Sequence, residues 1–269
     1  MISRILTAFA LTCATALPLA AGDSFKMPVT GEILSGWKKA DGTRIAALRL
    51  TLAPGWKTYW RKPGDAGIPP QFDWSGSKNL RGVGFTWPTP KVFLTAGMRT
   101  IGYSGVVTFP LTLTPRHTGE PIELNADLDI GICSDICVPH QMSLSAVLNN
   151  TNTQPTPAIA AALAARPLSA AEAGLKSATC ALSPTPDGVQ IEARMRLPST
   201  GGTEVVIIEP GQPGLWSSET KTSRQGGTLV AIGEIVAGSG SALALDRSAI
   251  RITVLGQKHA VDIKGCTPG

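Results

Sequence analysis

The stretch Ile122-Glu-Leu-Asn-Ala-Asp-Leu-Asp-Ile-Gly-Ile-Cys-Ser-Asp-Ile-Cys-Val-Pro-His140 governs how the whole chain is read. From Ile122 to Ile130, apolar side chains alternate with Glu123, Asn125, Asp127 and Asp129. That is the period-two signature of a strand with one face buried. Working outward, Arg44-Ile-Ala-Ala-Leu-Arg-Leu-Thr-Leu52 and Val106-Val-Thr-Phe-Pro-Leu-Thr-Leu-Thr114 obey the same rule. Turn-forming runs such as Ala53-Pro-Gly55 and Pro63-Gly-Asp-Ala-Gly67 separate the strands. Short strands with frequent turns imply an antiparallel sandwich.

Downstream, Asn149-Asn-Thr-Asn-Thr-Gln-Pro-Thr-Pro157 is polar, proline-bearing and poor in apolar residues, which reads as a linker. Composition shifts across it: Trp37, Trp56, Trp60, Trp74, Trp87 and both tyrosines, Tyr59 and Tyr103, precede it, and only Trp216 follows. An Ala-rich helical stretch is expected from Thr156 to Leu175, broken at Pro167, with a second piece opening on the capping-box pattern Ser169-Ala-Ala-Glu172. Strand alternation then returns at 189–195, 204–208, 228–232 and 250–255. The expected architecture is therefore all-β, two β-sandwich domains joined by a linker with a short helical segment. Its divisions are 22–148, a linker and helical segment at 149–175, and a second β domain at 176–269.

The opening Met1–Ala21 holds Arg4, an apolar run and a small-residue end at Ala20-Ala21, the pattern of a secretory signal peptide removed from the mature chain. The run from Leu6 is short for a membrane anchor and Pro18 interrupts it. The mature chain is thus expected to be exported and not inserted in a membrane. The net charge of +5 is dispersed, with no basic run longer than a pair such as Lys38-Lys39, which argues against nucleic acid as a partner.

Export determines how the cysteines are read. With Cys13 lost in the leader, Cys133, Cys137, Cys180 and Cys266 remain, an even number in a compartment where disulfides persist. Pairing Cys180 with Cys266 closes a loop of about 87 residues, for which chain entropy gives roughly 4.6 kcal/mol. That is a structural staple; the alternative is two free thiols. Cys133 and Cys137 differ in kind. On a continuing strand their Cα atoms would lie about 13 Å apart, so a bond requires a tight or helical turn. Such a small ring is worth only ~2 kcal/mol. Redox switch, staple and metal site all stay open on spacing alone. In the metal reading, Cys133, Cys137 and His140, with Met142 nearby, would suit Cu(I) or Zn²⁺.

Several further stretches narrow the choice. Gly55-Trp-Lys-Thr-Tyr-Trp-Arg-Lys-Pro-Gly-Asp-Ala-Gly-Ile-Pro-Pro70, Phe72-Asp-Trp-Ser75, Trp87-Pro88, Gly102-Tyr103 and Ile132-Cys-Ser-Asp-Ile-Cys-Val-Pro139 resemble the N-terminal domain of DsbD-type thiol:disulfide interchange proteins, most nearly the ScsB branch associated with suppression of copper sensitivity. The resemblance spans roughly 24–148; the second domain has only a general likeness to the second module of that branch.

The resemblance implies immunoglobulin-like sandwiches, a periplasmic location and no cofactor. It implies that Cys133 and Cys137 are the catalytic redox pair of a protein-disulfide reductase or carrier, with Cys137 the cysteine that forms mixed disulfides. It also implies thioredoxin-like redox proteins as partners. The chain carries neither a membrane domain nor a thioredoxin-like domain, so a separate membrane electron donor is expected. An aromatic loop shields the pair in that family, which makes Tyr59 and Trp60 candidates for shielding and His140 a candidate modulator. A Cu(I)-binding or copper-tolerance module using Cys133, Cys137 and His140 is the alternative.

Overall fold

A computed structural model describes residues 27–95, 97–149, 151–238 and 244–269; the signal peptide expected at 1–21 lies outside the described residues. The alternating sequences produce the expected strands. In the first sandwich these are β1 (Val29–Lys38), β2 (Arg44–Leu52), β3 (Lys57–Tyr59), β4 (Gln71–Asp73), β5 (Leu80–Phe85), β6 (Lys91–Thr95), β7 (Met98–Ser104), β8 (Val106–Pro115), β9 (Ile122–Cys133) and β10 (Cys137–Leu148). One sheet runs β1-β2-β8-β5; the other runs β10-β9-β3-β7-β6, with β4 also paired to β9.

The pattern of β9 explains the packing. Ile122, Leu124, Ala126, Leu128, Ile130 and Ile132 are all buried and meet Leu48, Leu50, Phe109, Leu111 and Leu113 from the facing sheet. An aromatic cluster fills one part of this core: Phe85 stands 4.6 Å from Trp87 and 5.3 Å from Phe109, and Tyr103 meets Phe109 edge-on at 5.2 Å. Trp56 and Trp74 pack against it while only partly buried.

The linker is more than a spacer. Helix α1 (Pro157–Ala164) starts after Thr156, with Pro157 in the first turn where a missing N–H costs nothing. Its Ile159 is buried on Ile45 and Ala47, the outer face of β2, so the helix belongs to the first sandwich. Among the described residues no helix is long and apolar enough to cross a membrane. The second helical piece does not form. Ser169 and Glu172 do make the reciprocal capping contacts, at 2.7 and 3.3 Å. Yet Leu168–Ser169 is the short strand β11, and the chain turns back at Gly174, whose φ is +67°. Capping chemistry closes a turn here because the glycine ends the run before a helix can propagate.

The second sandwich adds β12 (Ser177–Pro184), β13 (Val189–Arg196), β14 (Val205–Glu209), β15 (Leu215–Ser217), β16 (Lys221–Gln225), β17 (Thr228–Ala237), β18 (Arg251–Leu255), β19 (Ala260–Lys264) and β20 (Thr267–Pro268). Its sheets run β11-β19-β18-β14 and β15-β17-β13-β12-β20, with β16 on β17. Val206, Ile208, Ile252, Val254, Val261 and Ile263 point into its own core. Their alternates Ile207, Leu255 and Ala260 instead join the core of the first sandwich. One sheet of the second sandwich is therefore covered on both faces, which is why β14 and β18 carry nearly unbroken apolar runs.

Candidate functional site: a hairpin disulfide on the outer sheet face

β9 and β10 form a hairpin whose register ends with Cys137 opposite Cys133. Ser134-Asp135-Ile136 makes the turn, and the Ser134 N–H donates to the Ile136 carbonyl at 3.0 Å. This supplies the tight turn that a bond between the two requires: the cysteines are disulfide-linked with Cα atoms 4.1 Å apart. Strand alternation sets the side on which they lie. Even-numbered residues of β9 face the core, so Cys133 and Cys137 project from the opposite, outer face.

An outer-face residue at a hairpin end is ordinarily wet, yet Cys133 is 0% exposed. Two pieces of chain cover this corner of the sheet. β3 lies beside β9, with Lys57 opposite Cys133 and Thr58 opposite Ile132, so Tyr59 shares the outer face. The Tyr59 hydroxyl sits 2.8 Å from Cys133 Sγ and 3.2 Å from Cys137 Sγ. Disulfide sulfurs carry no proton, so the phenol donates. Burial pushes the Tyr59 phenol above its ordinary range, and it remains a donor at neutral pH. The second cover is the segment between Tyr59 and β4, which folds back over Gly131. A Cβ at Gly131 would stand 2.7 Å from Ile68 Cβ and 3.0 Å from Tyr59 Cδ2, so only glycine allows this approach. Thr58 Oγ1 donates to the Gly131 carbonyl at 2.9 Å and fixes the same corner.

The two sulfurs thus have unlike surroundings. Cys137 belongs to an exposed residue, and Ile136 beside it is 64% exposed. Across the sheet, the Lys57 ammonium lies 5.3 Å from the Phe93 ring and 3.3 Å from Thr100 Oγ1. Leu94 and Met98, at 76% and 53% exposure, extend an apolar fringe along the β6–β7 hairpin.

Other candidate residues fall elsewhere. Trp60, expected beside the pair, turns the opposite way from Tyr59 and is completely buried in the sandwich core, with the Arg61 guanidinium 3.9 Å from its ring. His140 pairs with Ile130 in the ladder and lies on the core-side face of β10, opposite Cys137. Met142 also faces inward, against Gly31 of β1. The ligand set Cys133, Cys137 and His140 is therefore not assembled, because odd spacing along one strand sends the imidazole away from the sulfurs. Among the described residues no group of three or more His, Cys, Asp or Glu side chains is gathered to hold a metal ion. Cys180 and Cys266 are joined in the second sandwich, with Cα atoms 5.8 Å apart, where Cys180 is wholly buried.

Sequence reasoning missed Ile68, Gly131 and Thr58. The one available signal was parity, since Tyr59 and Lys57 share a strand and a face; nothing local shows that Ile68 lies over a glycine 63 positions away.

Comparison with known proteins gives the site its context. Residues 30–149 match the family model described as thiol:disulfide interchange protein DsbD, N-terminal. No curated protein matches the chain. The crystal structure of the N-terminal periplasmic domain of ScsB from Proteus mirabilis is similar over 93% of this chain and 97% of that one, with a TM-score of 0.68 and 23% identity. At that identity the likeness shows a shared fold across both sandwiches. The match that covers the hairpin, the disulfide and Tyr59 places the first sandwich in the family of DsbD N-terminal thiol:disulfide interchange domains.

Proposed function

We propose that this chain is a periplasmic thiol–disulfide carrier, a protein-disulfide reductase in which Cys133 and Cys137 pass reducing equivalents to or from thioredoxin-like partners. The observation that carries this reading is the asymmetry of the pair: an exposed Cys137 joined to a buried Cys133 whose sulfur accepts a hydrogen bond from Tyr59. A partner thiolate attacks Cys137 Sγ, the S–S bond breaks, and its electron pair leaves on Cys133 Sγ as a thiolate. The Tyr59 hydroxyl, already at 2.8 Å, strengthens its bond as that charge forms. A second partner thiolate then attacks the partner's own sulfur in the mixed disulfide and releases Cys137. Two electrons and two protons have entered the carrier, and the reverse sequence hands them to a client disulfide. A separate membrane protein is the proposed electron donor.

Trapping tests the assignment. Cys133→Ser should form a stable mixed disulfide through Cys137 with a thioredoxin-like protein whose resolving cysteine has been removed. Cys137→Ser should form little. Non-reducing gels read the outcome; trapping through Cys133 alone reverses the assignment, and absence of any mixed disulfide with either variant defeats the carrier reading.

A further inference from the structure

The segment that covers the disulfide is anchored from outside its own domain. Arg61, two residues after Tyr59, donates from Nε and Nη2 to both carboxylate oxygens of Glu209 on β14, at 3.0 and 2.9 Å, and from Nη2 to Thr253 Oγ1 on β18 at 3.3 Å. Lys62 Nζ donates to the Ser217 carbonyl at 2.9 Å and stands 5.0 Å from the Trp216 ring. Arg99, whose carbonyl lies under Gly64, reaches Glu219 at 3.5 Å. The Arg61 and Glu209 side chains are only 14% and 19% exposed.

We propose that Glu209 and Glu219 of the second sandwich are positioning residues that clamp the base of segment 60–70 and thereby hold Tyr59 over Cys133 and Ile68 over the neighbouring Gly131. This rests on the carrier reading and gives the second sandwich a part in it: selectivity, by keeping adventitious thiols from the buried sulfur while Cys137 stays open to partners. The physics favours a clamp over an ornament. A bidentate guanidinium–carboxylate pair is directional. Removing its carboxylate leaves the Arg61 charge in a desolvated site beside Trp60, so the arginine must move toward water and take its backbone along. The apolar contacts of Ile207, Leu255 and Ala260 are independent of that pair and keep the two sandwiches docked when it is cut.

The test compares two rates in the full chain. In the double variant Glu209→Gln with Glu219→Gln, attack of reduced glutathione on Cys133 Sγ, read by mass spectrometry as the Cys133–glutathione disulfide after acid quenching, should accelerate about tenfold, because attack on a covered sulfur tracks the population of locally open forms. Exchange with a thioredoxin-like protein should change by less than about twofold, because Cys137 is accessible in the closed form, which stays the majority and keeps the Tyr59 hydrogen bond. Exchanging the charges, Arg61→Glu with Glu209→Arg, should restore most of the protection. Arg224→Ala, which breaks the Arg224–Glu204 pair within the second sandwich, serves as the stability control. It should lower the melting temperature without raising the glutathione rate. An unchanged glutathione rate in the double variant, or an equal rise in Arg224→Ala, overturns the proposal. Failure of the parent protein to exchange with the partner defeats the carrier reading instead, and leaves the glutathione comparison to be judged on its own.

Discussion

Each sandwich carries one disulfide, and the two bonds have almost nothing else in common. Cys133–Cys137 joins neighbouring strands of one hairpin, residues that the β9–β10 ladder already holds opposite each other. Closing that ring removes little freedom, about 2 kcal/mol by chain entropy. Cys180–Cys266 spans 86 positions and ties β12 to the end of the chain, where β20 adds to β12 in parallel. Cys180 of that bond belongs to the core, whereas the hairpin bond lies on an outer face beneath Tyr59. The lesson is that a disulfide's work depends on what it is redundant with. A bond that repeats what hydrogen bonds already hold is free to open; one that closes a long loop is not.

The largest expected effect strikes the staple. Replacing Cys180 and Cys266 together by alanine should lower the melting temperature of the second sandwich by roughly 20 °C, since a loss near 4.6 kcal/mol acts on a domain of fewer than a hundred residues. Exchange through Cys137 should stay largely intact. Calorimetry beside a partner-exchange assay measures both, and a collapse of exchange with little loss of stability would reverse the roles of the two bonds.

Acid should separate the sandwiches next. Burial alone would raise the Glu204 carboxyl, but Arg224 and the backbone and hydroxyl of Thr200 outweigh it and hold its pKa at about 2 against 4.5. A carboxyl depressed in the folded state contributes stability above the unfolded value of 4.5 and loses it as pH falls toward 2. The contribution at neutral pH has an upper bound of roughly 3 kcal/mol, which solvent screening reduces. Hydrogen exchange of β13 and β17 should therefore accelerate between pH 5 and 2, and Glu204→Gln should flatten that dependence. A variant with the same acid profile as the parent would remove Glu204 from the account.

A smaller effect sharpens the hairpin side. Tyr59→Phe keeps the ring over Cys133 and removes the hydroxyl, so exchange with a thioredoxin-like partner should slow about tenfold, as expected for one hydrogen bond to a forming charge. Thermal stability should hardly move. Equal rates for parent and variant would reduce Tyr59 to a cover. The least effect is expected from His140→Ala: less than about a twofold change in exchange, because the imidazole lies on the other face of β10. Anaerobic Cu(I) titration should find no tight site that depends on it; a stoichiometric site lost in both His140→Ala and Cys137→Ser would restore copper to consideration.

Much of the fold is legible because alternation is a local property. Arg44–Leu52 and Val106–Thr114 form β2 and β8 almost to the residue, and Ile122–Ile130 forms β9 up to its last three residues. The hairpin turn is legible in part, since a bond between Cys133 and Cys137 at that spacing requires one. The helix at 157–164 is legible and its expected second piece is not, because a capping pattern specifies a first turn and the residues beyond it decide whether more turns form. Val205-Val-Ile-Ile208 does not fit a strand with one buried face, because its unbroken apolar run is covered on both sides.

By itself, then, the sequence determined the strand class, the two-sandwich division of sheets and the identity of the cysteine pair, each set by neighbours within a dozen residues. Only the tertiary structure decided what hides the sulfur of Cys133. Period two states that Cys133 and Cys137 share a face; it cannot state that the face is covered by Ile68 and Tyr59, or that Arg61 is held by a carboxylate 148 positions away. Those contacts exist only once chain closure has brought distant segments together, and no local pattern encodes a partner whose sequence separation is arbitrary.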